Sequence, residues 1–132
     1  MTRADIGDYK KIPVTEFQKL QLRVGTIVKI EPHPKSPRHY CIAIDCSAAD
    51  EDVRVVAALA QHYQMSELIG KQVTVACNLP PQTIMGVDSD AMLLVSHNGK
   101  KPVLLGPHFA CPAGADVMAL SDKEYKHTLE QR

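Results

Sequence analysis

A chain of 132 residues with 45% hydrophobic content has the length of one globular domain, and a domain of that size buries about two-thirds of the surface its unfolded form would expose, enough for a core without staples. Two Phe, four Tyr and no Trp make that core aliphatic; with no run of about 18 apolar residues and a charged start at Met1-Thr2-Arg3-Ala4-Asp5, the chain reads as soluble and cytoplasmic, without membrane insertion. The formal net charge of zero excludes a chain that is basic throughout, yet residues 1–40 hold eight Lys and Arg against four acids and residues 41–70 hold one against five, so a basic face remains open.

In chain order, residues 1–14 read as an arm. Thr15-x-x-Gln18 fits a capping box, so one helical turn is expected over residues 15–19. From Leu20 the period becomes two: Leu20, Leu22, Val24, Thr26, Val28 and Ile30 share one face of a long half-buried strand, and Gln21, Arg23, Gly25, Ile27 and Lys29 share the other. Pro32, Pro34 and Pro37 end it, because proline cannot donate to a ladder, and a loop carrying His33, Lys35, Arg38 and His39 follows.

Tyr40, Ile42, Ile44 and Cys46 alternate in a second strand, with Tyr40 in the core register, and Asp50-Glu51-Asp52 turns into a third over residues 53–59. A short helix or turn is expected over residues 63–70, ending at Gly70, and a fourth strand over residues 72–78, broken by Pro80 and Pro81. Gly86 with Asp88-Ser89 interrupts the chain before a strand over residues 91–96; Asn98-Gly99 signals a hairpin, and residues 103–105 and 117–120 are short strands. The pattern is all-β.

Cys41, Cys46, Cys77 and Cys111 form no Cys-x-x-Cys pair and read as free buried thiols. His33, His39, Cys41 and Cys46 match no zinc-ligand spacing, and no cofactor is expected. No Gly-x-Ser-x-Gly, phosphate-cradling Gly-x-x-x-x-Gly-Lys or His-Glu-x-x-His sequence occurs, so nothing points to an enzyme.

Leu22-Arg23-Val24-Gly25-Thr26, His33-Pro34, Gly70-Lys71, Asn78-Leu79-Pro80-Pro81 and Ser89-Asp90-Ala91-Met92 stand in register. Together, over about residues 17–117, they resemble the small tRNA-binding domain found at the C-terminus of methionyl-tRNA synthetases, in free-standing bacterial tRNA-binding proteins and in the export-related chaperone CsaA. The resemblance implies an OB-fold, a five-stranded Greek-key barrel with a short helix between strands three and four, over residues 15–120, flanked by the arm 1–14 and a tail 121–132. The chain departs from the tRNA-binding members at Ser36-Pro37-Arg38, Ala57-Ala58-Leu59 and Ser89-Asp90-Ala91-Met92, while Ala60-Gln61, Asn78-Leu79-Pro80-Pro81 and Val103-Leu104-Leu105 look more like CsaA. The synthetase motifs His-Ile-Gly-His and Lys-Met-Ser-Lys-Ser are absent.

Two functions follow from the resemblance. The leading one is a homodimer that recognises folded tRNA by shape and backbone, free-standing or docked to an aminoacyl-tRNA synthetase. Arg23 and Lys29 on the first strand and Lys35 and Arg38 in the proline-rich loop would neutralise phosphates; Asn78 and Ser89 would read base edges or the 2′-hydroxyl, and Met92 would pack against a base. Stacking platforms are lacking, and His62, His97, His108 and His127 read as surface or packing residues. Apolar groups in residues 6–14 and 115–120 would be buried in the dimer. The alternative is a CsaA-like chaperone binding unfolded or preprotein segments of the export pathway, with Ile84, Met85, Val87, Met92 and Leu94 lining a peptide groove.

Overall fold

The computed structural model describes residues 9–47 and 51–120; residues 6–8 of the expected dimer arm, Asp50 of the acidic turn and the tail with His127 lie outside them. A single turn of helix, α1 (Val14–Phe17), comes first. It begins one residue earlier than the capping-box reading places it, with Pro13 at the N-cap and no side-chain cap, so Thr15 is already inside the turn. Proline suits that position because its fixed φ meets the helix entry and its missing N–H is an orphan there in any case.

Strands β1 (Leu22–Pro32), β2 (Tyr40–Asp45) and β3 (Val53–Ala57) form the expected meander; helix α2 (Met65–Leu68) leads into β4 (Gln72–Ala76), and β7 (Met92–Leu93) completes the path. The order β3-β2-β1-β4-β7 is antiparallel throughout. Its two ends nearly close on each other: Asp90 N–H donates to the Arg54 carbonyl of β3 at 2.8 Å, and Val56 N–H donates to Ser89 Oγ at 3.0 Å. This is the OB-type barrel implied by the resemblance. The helix is held by a capping box at Gln64 and Glu67 and ends at Gly70, whose φ of 82° matches the expected left-handed stop.

The face assigned to β1 is corrected by a bulge. Ile27 pairs with Ile44 and Lys29 with Ala43, leaving Val28 as an extra residue. One unpaired residue reverses the parity across it, so the core side takes Gly25 and Ile27 before the bulge and Ile30 after it. Ile27, expected outside, is 1% exposed and belongs to the central core, whereas Val28, expected inside, is 44% exposed. Ile30 returns to the core beyond the bulge, packed against the cluster of Ile42, Ile44, Val55, Leu59, Leu68, Val73 and Val75. Leu22 and Val24 are buried but outside that cluster, where residues 114–117 continue along the edge of β1 through β10 (Asp116–Val117).

Two small hairpins flank the barrel. The first, β5 (Gln82–Ile84) and β6 (Val87–Ser89), joins through Met85 and Gly86 at φ 48° and 87°. Sequence reasoning sees only an irregularity there, because two positive φ values in succession are normally signalled by Asn-Gly or Asp-Gly. The second, β8 (Val95–Asn98) and β9 (Lys101–Leu104), turns on Gly99-Lys100, one residue beyond the Asn98-Gly99 signal. No described helix is long and apolar enough to cross a membrane.

Candidate functional site

The proline-rich loop between β1 and β2 is a hydrogen-bonded structure. His33, buried, accepts the Lys35 N–H at Nδ1 (2.9 Å), so its Nε2 carries the proton and donates to the Ile84 carbonyl at 2.8 Å. That bond ties the loop to the β5–β6 hairpin. Ser36, also buried, accepts the Arg38 N–H at 3.3 Å and stands 2.7 Å from His39 Nδ1. Ala60 N–H donates to the Arg38 carbonyl at 3.1 Å, which fixes the far side. Burial first, then the neighbouring His33 and Arg38, hold the His39 pKa below the usual histidine value, so the network favours a neutral ring. The side chains of Lys35 and Arg38 stand exposed on this fixed frame.

The seven residues singled out from sequence divide in their surroundings. Arg23 lies on the inward parity of Gly25 and Ile27, and its guanidinium donates to the Gly114 carbonyl at 3.0 Å and pairs with Asp116 at 3.1 Å. Lys29 is exposed and pairs with Glu31 at 3.2 Å. Asn78 bridges backbone: Oδ1 accepts from Gln21 N–H and Nδ2 donates to the Lys19 carbonyl, both at 2.7 Å. Ser89, 5% exposed, accepts from Val56 N–H and donates to the Ala91 carbonyl at 3.0 Å. Met92 is 41% exposed.

Beside the closure of β3 on β6 and β7 runs a groove of about 460 Å³. The buried Val55, Leu59 and Ala91 back it from the core, and Met92, Leu93 and Val95 present its apolar surface. Its polar groups are Arg38, Gln61, His62, Gln82, Ser89, His97 and Lys100, and none of the described residues lining it is acidic. Of the expected peptide-groove residues, Ile84 and Met92 line it; Met85, Val87 and Leu94 do not. The convergence of His62, His97 and Lys100 is missed by sequence reasoning. No spacing signals it, since the barrel closure and the β8–β9 hairpin bring distant segments together.

The four cysteines are free, but of the four expected to be buried only Cys46 is; Cys41, Cys77 and Cys111 are half-buried. Burial, reinforced by Cys77, pushes the Cys46 thiol up to about 12, and burial raises Cys77 as well; these are protonated packing groups. No cluster of metal-ligating side chains occurs among the described residues.

An antiparallel barrel of this strand order, with a polar-rimmed groove at its closure, defines an OB-type binding module. The family model "Putative tRNA binding domain" matches residues 22–116, and the chain belongs to that tRNA-binding-domain family. The methionine–tRNA ligase of Thermococcus kodakarensis is 38% identical over 102 residues, covering 77% of this chain but 14% of the ligase; the chain thus spans about one-seventh of the length of such relatives. Among solved structures, a MetRS-related protein from Pyrococcus horikoshii is similar at 28% identity and a TM-score of 0.74, covering 83% of this chain and 99% of that one. The chaperone CsaA from Bacillus anthracis is similar at 26% identity and a TM-score of 0.72, with 82% and 99% covered.

Proposed function

We propose that this chain is a non-catalytic, homodimeric tRNA-binding barrel that grips folded tRNA mainly by shape and backbone, free or beside an aminoacyl-tRNA synthetase. The observation that carries this reading is the fixed basic loop: the backbone at Lys35 and Arg38 is held by the His33 and Ser36 hydrogen bonds with both side chains exposed, so little backbone ordering entropy is lost when they meet phosphates. Lys29 adds a third exposed cation. Arg23, Asn78 and Ser89 act on the RNA through the frame they hold together, and Met92 faces the ligand from the groove. A dimer is supported by Ile12, Val14, Met118 and Leu120, apolar side chains that a lone barrel leaves in water, Leu120 at 86% exposure. The apolar part of the groove, with the likeness to CsaA, favours a second reading, capture of unfolded segments by a chaperone.

Fluorescence anisotropy with tRNA across a salt series tests the first reading. Lys35→Ala with Arg38→Ala weakens binding of all tRNAs alike and flattens the salt slope by roughly one unit per lost contact. Unchanged affinity, or weaker affinity at an unchanged slope, rules the loop out as the phosphate clamp. Light scattering that gives a monomer mass at micromolar concentration rules out the dimer.

A further inference from the structure

We propose that the groove at the barrel closure receives a single unpaired nucleotide of the bound RNA, and that this insertion adds a preference for single-stranded positions to the backbone grip. The inference rests on the tRNA-binding reading and deepens it.

In a chain of zero net charge, a concave site with two cations, Arg38 and Lys100, and no acid among its described lining residues is selected for an anion. Asp88 and Asp90 flank Ser89 without lining the groove, and Asp88 accepts a hydrogen bond from Thr83 Oγ1 at 2.9 Å. A basic unfolded peptide therefore finds no partner inside.

Shape and chemistry narrow the anion. Met92, Leu93 and Val95 offer apolar surface that a phosphate or a sugar alone would leave unused. The imidazoles of His62 and His97 and the guanidinium of Arg38 are planar, the kinds of surface on which unstacked bases lie. They supply the stacking surfaces that the tyrosines do not: the Tyr40 hydroxyl donates to the Tyr63 carbonyl and the Tyr63 hydroxyl to the Pro102 carbonyl. The amides of Gln61 and Gln82 each carry donors and an acceptor, the pairing needed for a base edge. A volume of about 460 Å³ falls within the roughly 300–1,000 Å³ of small-ligand sites and admits one nucleotide, whereas a base locked in a duplex presents no free face to it.

The test uses the full chain, a short single-stranded RNA carrying one 2-aminopurine, the same strand annealed to its complement, and a whole tRNA. The wild type binds the single strand with a change in 2-aminopurine emission and binds the duplex about tenfold or more weakly. Ala58→Glu, at an exposed position lining the groove, places a carboxylate there and weakens the single strand by about tenfold or more, while the thermal midpoint stays at the wild-type value. Lys100→Glu, in the exposed β8–β9 turn, repeats the effect should Ala58→Glu disturb folding. If the single strand and the duplex bind equally and both variants are silent, the inserted nucleotide is excluded; tRNA binding with its salt slope intact would then leave the backbone reading standing. Loss of all RNA binding overturns both readings. Saturable binding of an unfolded peptide, blocked by Ala58→Glu in a protein that binds no RNA, assigns the groove to the chaperone activity instead.

Discussion

Replacing Gly25 by Ala tests why a glycine ends the Leu22-Arg23-Val24-Gly25 block. Gly25 is buried on the inward face of β1, two residues before Ile27. A Cβ there would overlap Ile44 Cγ2 and lie 2.9 Å from Cys46 Sγ and 3.3 Å from Val75 Cγ2. Ile44 and Val75 are fully buried and Cys46 nearly so, on the strands or strand end either side of β1, so none can swing into solvent. Overpacking of a closed core costs about 1–3 kcal/mol, and an overlap against three buried neighbours places this substitution near the upper end. For a domain of this size about 3 kcal/mol lowers the thermal midpoint by roughly 10 °C, read by circular dichroism or calorimetry. Ile44→Ala destabilises alone by leaving a cavity, but combined with Gly25→Ala it gives less than the sum of the two losses, because the new methyl enters the vacated space. A midpoint for Gly25→Ala within about 2 °C of wild type, or strict additivity in the double variant, would refute the close-approach account of this glycine.

The barrel closure and the loop give two further expectations. Ser89→Ala leaves the buried Val56 N–H without its acceptor, which costs about 1–3 kcal/mol and opens the seam between β3 and β6; an unchanged denaturation midpoint would count against that bridge. Because burial holds His39 below the usual histidine pKa in the folded state, the unfolded chain takes up protons first as pH falls below about 6.5. Its contribution is therefore intact above that value and is lost as pH drops toward the lowered folded pKa. The midpoint difference between wild type and His39→Asn should change across this acid window, and a difference that stays constant from neutral pH downward would dismiss the His39 network as a source of pH dependence.

The fold was largely legible because its signals are local. Period-two alternation in Tyr40, Ile42 and Ile44 matches their observed burial, and the prolines after β1, Gly70 and the Asn98-Gly99 pair mark real ends and turns within a residue. The errors arise where a second strand decides. Nothing in Ile27-Val28-Lys29 announces that Val28 will be skipped when β1 pairs with β2, yet that omission changes which of two adjacent aliphatic residues enters the core. Met85 at φ 48° shows the same limit. A β-turn can be imposed by the hairpin it closes, and by the His33 bond that anchors Ile84, on a residue type that does not ask for it.

The site was legible in its motifs and illegible in their division of labour. Asn78 and Ser89 stand out in sequence as polar residues in matched blocks, and a polar residue in such a block can either meet a ligand or satisfy the backbone. A buried backbone N–H needs an acceptor wherever the chain closes on itself, and here Ser89 meets that need at the seam of the barrel, while Asn78 ties the chain before β1 to the end of β4. By contrast His62, His97 and Lys100 belong to no motif, and what gathers them around one concavity is the closure that Ser89 secures. A substitution at Ser89 should disturb RNA affinity only as far as it disturbs the seam, whereas one at Lys100 should disturb affinity with the seam intact.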